Sequence, residues 1–373
     1  MCAKLINGAR LYTGQSQSRQ RTLKLASART LHARLQTRQS PLRGLVNNGG
    51  EIYKESALRA GGKTRALSSE EPPQTGTAAT TTELQGEDAA AFDFSAQSAT
   101  SWTLFFGLLT GVLALLYAVW IDPSHGLGKD FVGVLEGVAG SSEATMLLIL
   151  FVFAVAHSGL AYLRPYGEDL IGSRAYRVIF ALVSLPLATA AVVFFINHRY
   201  DGIPLWNIRG MPGVHETVWA SSFISFYFLY PSTFNILEVA AVDEPKLHLW
   251  ETGIIRITRH PQAIGQLIWC LAHTAWIGSS FMIATSLGLM AHHAFGCWHG
   301  DFRLKRKYGD AFEELKARTS TVPFAAILDG RQTLPAQYWK EFLRAPYLFL
   351  FPFCIGCYLS HPLMQLGALK LGW

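Results

Sequence analysis

Seven apolar stretches without a single Asp, Glu, Lys or Arg constrain this chain more than any other feature: about residues 101–121, 144–163, 178–196, 217–237, 261–279, 280–298 and 346–366. A helix of twenty residues spans roughly 30 Å, the thickness of a bilayer's hydrocarbon core. The stretches are apolar on every face, which does not suit the half-buried helices of a soluble domain. The uncharged run 261–298 is too long for one crossing and divides near Gly278-Ser279-Ser280. Pro186, Pro231, Pro352 and Pro362 fall inside stretches, where neighbouring helices satisfy the freed carbonyls. The expected fold is all-α: a polytopic membrane helix bundle of about seven transmembrane helices, spanning residues 96–373.

Loop charge gives the bundle an orientation. Segments 164–177, 238–260 and 299–345 hold 3, 3 and 9 Lys or Arg, whereas 122–143, 197–216 and the tail hold 1, 2 and 1. The positive-inside rule places the first group in the stroma or its equivalent, and an odd number of crossings preserves that asymmetry. Within 299–345, Asp301 to Lys316 (DFRLKRKYGDAFEELK) reads as one stromal amphipathic helix, with Leu304, Tyr308, Phe312 and Leu315 on one face.

The formal charge of +6 belongs to the N-terminus. Met1 to Arg65 carries 13 Lys or Arg against only Glu51 and Glu55, and the rest of the chain is net acidic. A nucleic-acid partner for the body of the protein is therefore not expected. No acid precedes Glu51 and no apolar signal core is present. Residues 1–67 thus read as a plastid transit peptide, and the Pro/Thr-rich segment 68–95 as a disordered linker. Five cysteines give no disulfide framework. Cys354-x-x-Cys357 has a redox spacing but lies within an apolar stretch.

An ionisable side chain deep in an apolar stretch is costly and marks a functional candidate. His157 occupies that position in ATMLLILFVFAVAHSGLAYL (144–163), and Cys270 and His273 do so in WCLAH. Three apart on a helix, Cys270 and His273 share a face. Two imidazoles on separate membrane helices suit a metal or haem, with the cysteine as a softer alternate ligand. The structural alternative is that each histidine bonds a backbone carbonyl, or Ser158 or Thr274. Counted from the stromal ends, His157 lies roughly 9 Å deep, Cys270 roughly 13 Å and His273 roughly 18 Å, so depth alone pairs His157 somewhat better with Cys270. Other histidines compete. His292 and His293 are neighbours and point about 100° apart on a helix. His198 sits at a membrane edge, His260 precedes the first-turn proline of a stretch, and His361 precedes Pro362. No zinc-ligand set, serine–histidine–acid arrangement or phosphate-cradling glycine loop stands out.

Long blocks of this chain are similar to one family. HSGLAYLRPYGEDLIGSRAYR (157–177), FFINHRYDG (194–202), PGVHE (212–216), FLYPSTFN (228–235), HLWETGIIRITRHPQ (248–262), WCLAHT (269–274) and KRKYGDAFEELKARTS (305–320) resemble the NnrU-like membrane family, in its branch of plant and algal zeta-carotene isomerases. The resemblance runs from about Asp88 to Trp373. It implies a multi-pass plastid membrane enzyme that converts 9,15,9′-tri-cis-zeta-carotene to the 9,9′-di-cis form at the 15-cis double bond. It also implies a b-type haem whose iron is held by His157 and His273, with Cys270 as a redox-dependent alternate ligand; these three form the expected catalytic set. Zeta-carotene would enter from the bilayer, with carotenoid desaturases as candidate partners. Two alternatives stand beside this. Arg259-His260-Pro261 followed by GDFRLKRKYGDAFEELKART also resembles isoprenylcysteine-carboxyl-type membrane methyltransferases, which bind S-adenosylmethionine, although Gly300-Asp301 replaces their Glu-Glu. A non-catalytic haem sensor would keep the iron and lack turnover.

Overall fold

The computed structural model describes residues 98–229, 251–343 and 345–373. The expected transit peptide and linker lie outside these residues, as does 230–237 of the fourth apolar stretch. The described chain is helical, with one isolated bridge between Pro204 and Ser279. The helices are α1 (Ala99–Leu116, extended by a π turn over Tyr117–Ile121), α2 (Leu127–Ala139), α3 (Ser142–Ile171) and α4 (Ser173–His198). They continue with α5 (Val214–Leu229), the single turn α6 (Ile254–Ile257), α7 (Pro261–Ile277) and α8 (Ser280–Tyr308). The last are α9 (Asp310–Arg318), the turn α10 (Ala325–Leu328) and α11 (Ala345–Leu371).

Local chemistry sets the boundaries. Ser98, Ser141 and Ser279 cap α1, α3 and α8 by accepting from the N–H groups of Ser101, Ala144 and Met282 at 3.1–3.2 Å. Gly140 and Gly278 end α2 and α7 in the left-handed region. Pro261 opens α7, where its missing N–H costs nothing. Among the described residues, three helices are long and apolar enough to cross a membrane: α1 with its π turn, α3 and α4. The other four apolar stretches carry α5, α7, α8 and α11.

The amphipathic helix expected over Asp301 to Lys316 is corrected. Its first half continues α8 as far as Tyr308, and the chain breaks at Gly309 (φ 56°) before α9 begins. A glycine tolerates that positive φ and so ends one helix at the start of the next. The apolar face survives the break: Phe312 and Leu315 are buried, with Leu304 and Tyr308 packed on them.

The main core joins α2, α3, α4, α8 and α11. Ile149, Ala190, Phe194 and Phe281 are fully buried among Val132, Met146, Leu150, Val193, Ala368 and Trp373. Asn197 on α4 donates to the carbonyls of Ala368 (3.0 Å) and Trp373 (2.6 Å), fixing α11 against it. α8 packs on both α3 and α7, and α5 packs on α7.

Each end of the bundle is tied by polar contacts. At one end the α7–α8 turn is held from three directions. Ser280 Oγ donates to Glu143 Oε1 (2.7 Å) on α3, and Ser279 Oγ donates to the Arg199 carbonyl (2.9 Å) at the end of α4. The backbone of Ile203 to Trp206 bonds Gly278 and Ser280. At the other end, paired charges clamp the segments flanking α6. Arg256 meets Glu341 through two bonds of 3.1 Å. Glu251 accepts from Arg318 (2.8 Å) and Gln332 (2.9 Å).

Gly278 combines φ +67° with a backbone so close that an added Cβ would stand 2.2 Å from the Trp206 carbonyl. Gly278→Ala is expected to lower stability by about 2 kcal/mol. Gly296→Ala, where nothing lies within 4 Å, is expected to raise it by about 0.5–1 kcal/mol. Thermal unfolding in detergent checks both; equal melting temperatures would contradict the role given to the turn.

Candidate functional site

His157 faces inward from α3 into an aromatic pocket. Its ring stacks on Phe153 one turn earlier (centroids 5.1 Å) and meets the edge of Phe180 on α4 (4.8 Å). Nδ1 lies 3.2 Å from Ser184 Oγ, also on α4. The nearby imidazole is His292 of α8, 6.1 Å away between centroids and near-perpendicular, and Phe153 touches both rings. The Nδ1 atom of His292 is buried without a hydrogen-bond partner. Ser184 carries no sequence signal of its own, and His292, one of the competing histidines, shows in sequence neither which helix it faces nor at what height.

His273 and Cys270 lie on α7. His273 Nδ1 is 2.9 Å from the Trp269 carbonyl, and the two rings stack at 3.8 Å. A carbonyl only accepts, so Nδ1 carries the proton and Nε2 keeps its lone pair. Cys270 is buried, and its sulfur accepts from Gln266 Nε2 at 3.4 Å. Thr274 and Ser286 share a 2.8 Å bond that joins α7 to α8. The structural alternative named a backbone carbonyl, Ser158 or Thr274, and His273 meets it at the Trp269 carbonyl. His157 instead turns to Ser184 on another helix.

Heights follow from the tied turn. The Ser280–Glu143 bond levels the start of α8 with that of α3, so His157 stands roughly 21 Å above that end and His292 roughly 18 Å. On α7, His273 is only roughly 6 Å above the turn and Cys270 roughly 10 Å. The structure thus brings His157 together with His292 and sets Cys270 and His273 lower, against the first turns of α8. Among the described residues no three His, Cys, Asp or Glu converge as metal ligands. A haem needs no such set, because the porphyrin supplies four of the iron's ligands.

Of the remaining sequence candidates, His198 and His361 have structural partners. His198 pairs with Asp201 at 2.7 Å. His361 Nδ1 is 2.8 Å from the Cys357 carbonyl. Cys354 and Cys357 are free thiols. Trp219 and Phe223 on α5 pack edge-on against Tyr358 and Phe351 of α11. A cavity of about 800 Å³ at the α3–α4 corner is lined by Glu168, Asp169 and Arg174 beside Leu104 and Leu108, a charged wall ill-suited to a hydrocarbon.

Arg259 and His260, at the mouth of α7, both turn to Asp301 on α8. Arg259 Nε donates to Oδ2 at 3.2 Å, and His260 Nε2 lies 3.1 Å from Oδ1 in an ion pair whose angle falls short of a hydrogen bond. Burial alone would lower the His260 pKa, but the Asp301 carboxylate and Cys297 sulfur outweigh it and raise it to about 9. Burial likewise opposes ionisation of Asp301, yet His260 and Arg259 hold its carboxyl below the usual range. A raised histidine pKa stabilises the folded state fully below its ordinary value near 6.5 and loses that contribution as pH rises through about 9. Stability measured from pH 6 to 10 is therefore expected to fall across this window and to flatten in His260→Gln; an unchanged profile would contradict the pairing.

The comparisons with known proteins bear on this arrangement. The NnrU protein family matches residues 145–365, which include His157, Cys270, His273 and His292. The chain belongs to the NnrU family. Within it, the chain is 52% identical to the protein named "15-cis-zeta-carotene isomerase, chloroplastic" of Arabidopsis thaliana, over 88% of each chain. It is 59% identical to the protein of the same name from Zea mays, over 78% of this chain and 79% of that one. No solved structure matches it.

Proposed function

We infer that this NnrU protein is a 15-cis-zeta-carotene isomerase, acting on the 15-cis double bond of 9,15,9′-tri-cis-zeta-carotene and releasing the 9,9′-di-cis isomer. The observation that carries this is identity above one half to two plant isomerases across most of the chain. A plastid membrane is the proposed location, with the seven apolar stretches each crossing once and the basic loops facing the stroma. The substrate would reach the bundle laterally from the bilayer.

The catalytic group proposed is a b-type haem held through His157, with His273, or Cys270 in the other oxidation state, completing the iron's coordination as the family resemblance implies. The donor atoms suit iron, but His157 and His273 stand roughly 15 Å apart in height, further than two ligands of one iron, so the described arrangement meets the donor chemistry and not the spacing of that pair. His273 already commits Nδ1 to a carbonyl, which leaves Nε2 as the donor atom, and Ser184 can accept the Nδ1 proton of His157 in the same way. The unpartnered Nδ1 of His292 adds a further imidazole at the height of His157, so His292 competes with α7 for the second position. Haem, when bound, would supply iron chemistry able to weaken the double-bond character of the central C=C without net redox change.

The chain's part is to exclude water, aim the ligands and offer the polyene an apolar wall. Phe153 and Phe180 do this around His157. A hydrocarbon carries no proton to transfer, so carboxylates are not required beside His157. The S-adenosylmethionine reading loses its support at Arg259 and His260, since both are engaged by Asp301.

Visible spectra of the detergent-purified protein, oxidised and reduced, followed by an isomerisation assay, test the proposal. A Soret band with turnover only in the reduced state is expected. A band without turnover would favour a haem sensor, and no band would remove the haem. His157→Ala is expected to lose the haem. Comparing His273→Ala, Cys270→Ala and His292→Ala then identifies the second ligand by which change alters the spectrum; full haem retention in both His157→Ala and His273→Ala would refute the pair.

A further inference from the structure

Arg164 lies on α3 seven residues beyond His157, which puts it on nearly the same helix face and roughly 10 Å further along the axis. It is the first charge after the uncharged stretch 144–163. Its guanidinium sits over the Phe180 ring at 5.5 Å, and the same ring meets His157 at 4.8 Å. One phenyl group therefore links the proposed iron ligand to the cation. The Nε atom of Arg164 is buried and makes no hydrogen bond. The Glu168 carboxylate stands at 3.9 Å, beyond hydrogen-bonding range. A buried guanidinium nitrogen without an acceptor is costly, and a carboxylate or phosphate oxygen would satisfy it.

Protohaem carries two carboxylates on one edge of an otherwise apolar disc. With its iron at His157, deep in the apolar stretch, that edge must face polar surroundings, and the end of α3 bearing Arg164 is the polar direction on that face. We propose that Arg164 anchors a haem carboxylate, making His157 and Arg164 a two-point mount on one helix. This rests on the haem reading above and does not depend on which residue supplies the second axial ligand.

The test titrates the detergent-solubilised apoprotein with protohaem and with protohaem dimethyl ester, whose carboxylates are masked, reading the Soret band. The native chain is expected to bind the diacid about tenfold or more tightly than the ester. Arg164→Gln should bind both alike, at the affinity the native chain shows for the ester. Arg164→Lys keeps the charge and should keep part of the preference. A full preference for the diacid in Arg164→Gln would overturn the anchor alone and assign the arginine to another anion, such as a lipid headgroup. Loss of both porphyrins in both variants would assign it to packing and likewise overturn the anchor. Absence of a Soret band from the native chain with either porphyrin would overturn the haem reading and the anchor with it.

Discussion

The hydrogen-bonded turn at Gly278-Ser279-Ser280 governs the geometry of the rest. Helices in an apolar surrounding have no hydrophobic effect to fix their vertical register, so small residues and polar ties take that role. Here two serines and a left-handed glycine bind the α7–α8 hairpin to the start of α3, the end of α4 and the backbone of Ile203 to Trp206. Once these ends are level, the height of every residue above them follows from helical rise. His157 and His292 then meet at one level, and Cys270 and His273 at a lower one.

Several polar groups of the bundle are held by named partners. Asp301, Glu251 and Glu341 are closed by arginine, histidine or glutamine, and they brace the end opposite the turn. The histidines of the site are fixed at Nδ1 by a hydroxyl or a carbonyl, which orients the ring and leaves the other nitrogen available. Arg164 and His292 each keep a buried nitrogen without a hydrogen bond, as Trp120 Nε1 and Asn197 Oδ1 also keep a buried atom.

Much of the architecture was legible beforehand. Uncharged length locates a helix at each apolar stretch, and the run 261–298, too long for one crossing, divides at Gly278-Ser279-Ser280 as α7 and α8 do. The amphipathic segment was half right. Its apolar face was visible in Leu304, Tyr308, Phe312 and Leu315, but the positive φ at Gly309 was not. A helical periodicity runs on through a sharp bend without changing phase, so pattern alone did not reveal it. For the site, depth in an apolar stretch singled out His157, Cys270 and His273. It said nothing of Ser184 or Phe180, which are ordinary residues until the α3–α4 packing aims them at His157.

By itself the sequence determined the helical class, the extents of the apolar segments, the family and the short set of costly polar residues, since these depend on composition and on neighbours along the chain. Only the tertiary structure decided which of those residues meet. Pairing His157 with His292, engaging Arg259 and His260 at Asp301, and bringing Arg164 to the same phenyl ring as His157 all depend on rotation and register between helices. Those quantities are set by side-chain packing and by the tie at the α7–α8 turn, and no spacing within a single helix encodes them.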